Sequence, residues 1–298
     1  MLGKTIAQND AFLRLHLAIF LAGGTGIFGR MISLTEVPLV WFRMLTAAIV
    51  LAAVMYFSKR LKRVGRSDLI KMCGCGAVLA MHWVLFYASI KAANVSIAVV
   101  CIALEGFFTA ILDPIISRRR FAVHEILLSF IALAGIMLIF GFDSRYRVGI
   151  ALGVLSACLY ALFSIFSKGV QQRTGHTSST MLLYELISGW ALLTVVIPFY
   201  MMVTPGLSMS PTVADWIMLP IFGSIFTVGP FLLQLQALRS ISAFTVNLSY
   251  NLEPIYSIIF AMIIFDEGSE LNRFFWIGVL LIILSVVLQT IYSKRKAQ

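Results

Sequence analysis

Several ionisable residues lie inside runs of apolar residues long enough to cross a bilayer. Glu253 sits within 243–265, followed at once by Pro254, with Asn247, Tyr250 and Asn251 just before it. Glu105 and Asp113 lie within 94–117, Arg43 within 38–57, and Glu185 within 179–202. A carboxylate at the centre of a membrane helix costs about 2.5–3.5 kcal/mol on insertion scales. A proline there also removes a backbone donor. Such residues belong where protein or water, not lipid, surrounds them. Arg43 cannot neutralise Glu105, Asp113, Glu185 and Glu253 together, so some of these acids are protonated or paired with substrate or water. That is the chemistry of a site that binds protons and polar solutes. Glu105 and Glu253 are the proton-coupling candidates. Arg43, His82, Trp83, Glu105, Tyr160, Tyr184, Glu185, Asn247, Tyr250 and Asn251 are the substrate-binding candidates, and Pro254 is the expected kink.

Helical spacing sharpens this. At about 100° per residue, Cys101, Glu105, Thr109 and Asp113 form one stripe on the span that carries them. Tyr250, Glu253 and Ser257 share a face of theirs. A stripe with two carboxylates faces a cavity or a partner helix. The plainer alternative is an interhelical ion pair, and Asp113, close to Arg118, Arg119 and Arg120, fits that alternative. No His-Glu-x-x-His, no grouped metal ligands and no Gly-x-Ser-x-Gly elbow appear, so neither an enzyme nor a metal or other cofactor is expected.

The elements that must hold these residues are membrane helices. Of 298 residues, 60% are hydrophobic and 12% charged, with a mean hydropathy of +0.96. So few charges cannot cover a soluble surface. The net charge of +10 lies in short clusters between apolar runs, not on one face, so no nucleic-acid partner is expected. Cys73, Cys75, Cys101 and Cys158 lie inside apolar runs and read as small buried hydrophobes. The first apolar run reads as a span and not as a cleaved signal. Ten spans are expected: 12–31, 38–57, 69–90, 94–117, 123–142, 147–167, 179–202, 213–237, 243–265 and 274–292. With the N-terminus in the cytoplasm, seventeen Lys and Arg fall on the inner side and five on the outer. That asymmetry places both termini inside.

The chain also repeats. Ala103-Leu104-Glu105-Gly106 matches Asn251-Leu252-Glu253-Pro254, and Arg43 corresponds to Glu185. Residues 1–142 and 143–298 then form two five-helix halves. Five is odd, so the second half is inverted, an arrangement that places substrate near the midplane between halves. The expected fold is all-α, with ten transmembrane helices as two inverted repeats. Gly23-Gly24-Thr25-Gly26, Gly149 and Gly153 are expected to permit close helix approach, and Gly229-Pro230 to be a flex point.

Five spans plus five, Arg43, the Tyr87-Ala88 junction, and Asn251-Leu252-Glu253-Pro254 followed by Phe265-Asp266-Glu267 and Gly278 resemble the EamA family of the drug/metabolite transporter superfamily. The resemblance covers nearly the whole chain. Gly106, where such proteins often carry proline, and Ser117–Arg120, in place of an acidic end, depart from it. It implies alternating access, export of amino acids or related small metabolites, a place in the bacterial inner membrane, and a monomer or homodimer. A membrane enzyme, or a channel or lipid-handling protein, is the alternative.

Overall fold

The computed structural model describes residues 2–93, 95–140, 147–204, 208–265 and 273–297, and every regular element among them is helical. The boundary between 142 and 143 lies outside the described residues, as do Asp266 and Glu267. The helices are α1 (Leu2–Gly23), α2 (Thr25–Met31), α3 (Glu36–Phe57), α4 (Arg66–Ala92), α5 (Val95–Ile102), α6 (Glu105–Ile116) and α7 (Val123–Phe140). They continue with α8 (Arg147–Thr174), α9 (Ser178–Val203), α10 (Val213–Gly223), α11 (Gly229–Ala237), α12 (Ala243–Tyr250), α13 (Glu253–Phe265) and α14 (Arg273–Ala297). A π-helical turn, Ser224–Val228, joins α10 to α11.

Among the described residues, six stretches are long and apolar enough to cross a membrane: Asn9–Gly29, Glu36–Phe57, Arg66–Ala92, Arg147–Thr174, Ser178–Val203 and Val213–Ala237. Large apolar side chains cover the outward faces, including Val195, Phe199 and Met202 on α9 and Leu280 and Leu284 on α14. Between helices, small residues set the approach, because lipid offers no hydrophobic drive for helix association. A Cβ on Gly23 would lie 2.6 Å from the Cβ of Tyr256, and one on Gly153 would lie 2.6 Å from the Cβ of Cys101. These contacts seat α1 on α13 and α8 on α5. Further packing sets α4 against α8 and α9, α1 against α11, α3 against α9 and α10, α6 against α12, and α7 against α14.

Two apolar runs expected as single helices are broken. The chain leaves α5 at Ile102 and re-enters helix at Glu105; it leaves α12 at Tyr250 and re-enters at Glu253. At both breaks the ladder tightens to bonds three residues back: Leu104 N to Cys101 O at 3.0 Å, and Leu252 N to Ser249 O at 3.0 Å. The expected stripe is therefore interrupted. Cys101 ends on α5, with its thiol 3.7 Å from the Ile150 carbonyl, while Glu105, Thr109 and Asp113 lie on α6. Pro254 corrects a second expectation. It is the second residue of α13, where no backbone donor is required, and it does not kink a continuous helix.

Polar contacts tie the helix ends. At one end Lys91 pairs with Glu36 at 3.4 Å, Tyr200 hydrogen-bonds Glu36, and Ser33 Oγ donates to Asp215 at 2.6 Å. At the other, Arg119 pairs with Asp113 at 3.0 Å and Glu125 at 2.6 Å, so Asp113 belongs to an ion-pair cluster at the helix end. There too Lys168 Nζ donates to the Leu238 carbonyl at 2.8 Å.

Candidate functional site

The helix breaks meet at a central cavity. Thr25, Arg43, His82, Trp83, Glu105, Tyr160, Tyr250 and Glu253 all contribute to its wall, together with Phe86, Phe226, Pro230 and Phe231. Its volume is about 40 Å³. That exceeds the roughly 10–15 Å³ a water molecule needs. It falls far short of the roughly 300–1,000 Å³ of a small-molecule pocket. A metabolite does not fit the cavity at this volume.

Arg43, on α3, is 3% exposed. Its Nε donates to Thr227 Oγ1 at 2.8 Å, and one Nη donates to the Tyr87 hydroxyl at 3.0 Å. The guanidinium carbon lies 3.9 Å from the ring centroid of Trp83 and 4.5 Å from that of Phe222. The weakly hydrated guanidinium suits such a site, because aromatic faces attract it and its fork fills acceptors. No carboxylate oxygen lies within 4.0 Å of its nitrogens among the described residues. Arg43 is fixed by hydroxyls and rings.

Thr227 reaches Arg43 because of local chain geometry. Pro230 lacks an N–H and would press on the carbonyl four residues earlier. The helix widens to a π turn just there, a feature frequent at functional sites. Within it Thr227 Oγ1 donates to the Phe222 carbonyl at 2.8 Å, five residues back.

Glu105 and Glu253 are the first residues of α6 and α13. Their carboxyl groups thus stand at the positive ends of two short helices, where an anionic side chain is favoured. Glu105 is 2% exposed, and its Oε2 has no hydrogen-bond partner. Both residues share the cavity wall with the Arg43 guanidinium.

A hydrogen-bonded frame surrounds the cavity. The hydroxyls of Tyr160 (α8) and Tyr250 (α12) both donate to Gln234 Oε1 on α11, at 2.6 and 3.1 Å. Ser156 Oγ donates to the His82 carbonyl at 2.8 Å and lies 2.9 Å from His82 Nδ1. The Ser156 carbonyl is 3.0 Å from the same nitrogen, which assigns the ring proton to Nδ1. Asn247 links three helices, accepting from Ser164 Oγ on α8 at 2.9 Å and donating to Thr109 Oγ1 on α6 at 2.7 Å. Thr109 in turn donates to the Glu105 carbonyl at 2.7 Å. Asn247 thus braces the first break without lining the cavity.

Other candidates fall elsewhere. Tyr184 reaches the α3–α4 connection, its hydroxyl 3.2 Å from the Lys62 carbonyl. Glu185 is fully buried between α4 and α8: Ser167 Oγ donates to its Oε1 at 2.9 Å, and its carbonyl would lie 2.2 Å from a Cβ on Gly76. Asn251 lies at the second break, 1% exposed, with neither side-chain polar atom partnered. Tyr87, Thr227 and Gln234 shape the site yet carry little sequence signal. Gln234, an amide inside an apolar run, was the one detectable from residue type.

The sequence pattern of the EamA-like transporter family matches residues 11–141 and 147–291. An uncharacterized transporter of Bacillus subtilis (strain 168), YxxF, is 23% identical, the match spanning 97% of this chain and 92% of that protein. An uncharacterized transporter of Haemophilus influenzae is also 23% identical, over 86% of each. A protein of known crystal structure shares the fold with a TM-score of 0.73 at 15% identity, over 95% of this chain and 98% of that one.

Proposed function

The chain belongs to the EamA-like transporter family, and on that premise we propose that it is a secondary transporter exporting amino acids or related amphoteric metabolites by alternating access. The observation that carries the reading is the meeting of Arg43, Glu105 and Glu253 at one cavity, whose wall includes both helix breaks. An amino acid presents a carboxylate to a guanidinium and an ammonium to a carboxylate. The aromatic wall suits the organic remainder.

The packing supports two inverted five-helix halves, 1–142 and 143–298, and ten spans. Exchange of halves turns the α4–α8 contact into that of α11 with α1. It turns α4–α9 into α10–α3, and returns α6–α12 and α7–α14 to themselves. Broken helices at the midplane between inverted repeats are the usual substrate site of such folds. The excess of basic residues on one side supports cytoplasmic termini in an inner membrane. A reporter fused after Gln298 is expected to read cytoplasmic, and one between Thr204 and Thr212 external.

Glu105 and Glu253 are the groups we assign to proton coupling, with His82, Trp83, Tyr160 and Tyr250 lining the substrate. The test is counterflow in proteoliposomes with a panel of radiolabelled amino acids. A carrier shows trans-stimulation by unlabelled solute. Flux without trans-stimulation overturns the carrier reading in favour of a channel, and chemical alteration of the solute overturns it in favour of an enzyme.

A further inference from the structure

Away from the central cavity, a second cavity of about 380 Å³ opens where the middle of α1, the α3–α4 connection, the start of α9 and the end of α11 meet. Its wall is polar and basic. Arg14, Arg60 and Arg239 come to it from three separate segments, against the single carboxylate of Asp10. It shares no lining residue with the central cavity. We propose that it binds a phosphate-bearing anion.

Two of the arginines are held in position by the protein. Arg14 pairs with Asp10 at 2.6 Å through one Nη and hydrogen-bonds Gln236 through the other. Arg239 donates to the His176 carbonyl. The guanidinium of Arg60 has no protein acceptor among the described residues. Asp10 offsets one of the three positive charges, which leaves an excess of two at a site in the volume range of small-molecule pockets.

The cavity also takes in the first turn of α9, a helix of 26 residues. Thr177 caps it: its hydroxyl accepts from Thr180 N at 3.2 Å and its carbonyl from Met181 N at 3.0 Å. The amides of Ser178 and Ser179 come before the first intrahelical bond and have no partner within the helix. Free amides, a positive helix end and converging guanidinium forks are together the chemistry that recognises a phosphate, whose charge and several oxygens accept bidentate bonds. The excess of two positive charges suits a phosphate group, whose charge is one in a diester and up to two in a monoester. The neighbouring Lys59, Lys62 and Arg63 spread the positive field over the same end and draw anions toward it.

The phosphate arrives either on a soluble metabolite or on a lipid headgroup at the membrane surface. Two arms separate these, each using the full chain. In the first, inorganic pyrophosphate is titrated against protein in phosphatidylcholine nanodiscs at constant ionic strength, and the thermal midpoint is followed. In the second, native mass spectrometry counts lipids retained from nanodiscs of phosphatidylcholine with or without phosphatidylglycerol. Arg60→Gln and Arg239→Gln are each expected to weaken the bound species about tenfold, the loss of one charge-assisted hydrogen bond. Arg173→Gln, on the exposed end of α8 outside the cavity, is expected to change nothing. Arg60→Gln alters an exposed connection, so it tests the site even if Arg239→Gln fails to fold. Pyrophosphate binding lost in the cavity variants assigns a soluble phosphate; selective phosphatidylglycerol retention lost in them assigns a lipid. If neither probe binds, or if Arg173→Gln weakens binding equally, the proposal fails. Binding is read without transport, so a failure here leaves the carrier reading untouched.

Discussion

The two helix breaks share a register but are built differently. Each interrupts an apolar run one step before a Leu-Glu pair's carboxylate, at Ala103-Leu104 and at Asn251-Leu252. The second has Pro254 in the first turn of the new helix; the first has Gly106 at that position. A Cβ on Gly106 would lie 3.3 Å from Leu248 Cδ1 and 3.4 Å from its Cα, so α6 packs closely on α12 there. The first break is braced from outside, through Asn247 and Thr109 to the Glu105 carbonyl. At the second, the side chain of Asn251 is left without partners. Proline is therefore not required for such a break, although Pro254 lies four residues after Tyr250, the last residue of α12. The common elements are a glutamate opening each new helix and a neighbouring helix that holds the broken end. The second break is tied through Tyr250 to Gln234 and through Ser257 to the Gly23 carbonyl, and with its unpartnered Asn251 it is the one expected to move.

The largest effect expected from this contrast is on coupling. Glu253→Gln keeps the side chain's size but cannot ionise. It is expected to reach the membrane, bind substrate and support counterflow, while pH-driven net flux falls at least about tenfold, a change equivalent to roughly 1.4 kcal/mol. Glu105→Gln, at the other residue assigned to coupling, is expected to lower pH-driven flux by less than Glu253→Gln does. Proteoliposome flux across a pH series checks both. Unchanged pH dependence in Glu253→Gln would transfer the coupling role to Glu105.

Next comes the cation between the breaks. Arg43→Lys cannot satisfy Thr227 and Tyr87 with one fork, nor lie flat between Trp83 and Phe222. A loss of about 1.5–3 kcal/mol is expected for each charge-assisted bond removed, read as unfolding free energy in mixed micelles, together with impaired transport. Wild-type stability and flux would make the four contacts dispensable.

Smaller again is the brace on the first break. Asn247→Ala and Thr109→Val are each expected to cost about 1–3 kcal/mol through orphaned buried partners. Their double-mutant cycle is expected to show about 0.5–3 kcal/mol of coupling. A coupling near zero would mean that the Asn247–Thr109 bond does not hold α6.

The smallest effect is the most discriminating about cause. A proline strained in a helix interior costs about 3 kcal/mol, so its removal would stabilise the protein by that much. In the first turn of α13, Pro254→Ala is expected to change stability by less than about 1 kcal/mol. Spin labels flanking Asn251 would report an unchanged break. A gain near 3 kcal/mol would restore the kinked-helix reading.

The sequence by itself determined the class of protein. The apolar runs leave no other solvent than lipid, and their polar interruptions cannot face it, so Arg43, Glu105 and Glu253 were legible as buried from cost alone, but so were Asp113 and Glu185, which lie away from the cavity. The Leu-Glu repeat was also legible, because it is a local pattern. Only the tertiary structure decided what each residue touches. Periodicity extended a stripe through Cys101 and Glu105 because it assumes an unbroken helix, and a break held by a neighbouring helix leaves no local mark without proline. Tyr184 and Glu185 are adjacent in an apolar run, yet one reaches a connection and the other the α4–α8 seam, because successive residues point to different helix faces. Arg43 is held by Thr227 and Tyr87, both distant from it in sequence. Partner choice depends on how helices cross, and that is settled by the packing of the whole bundle.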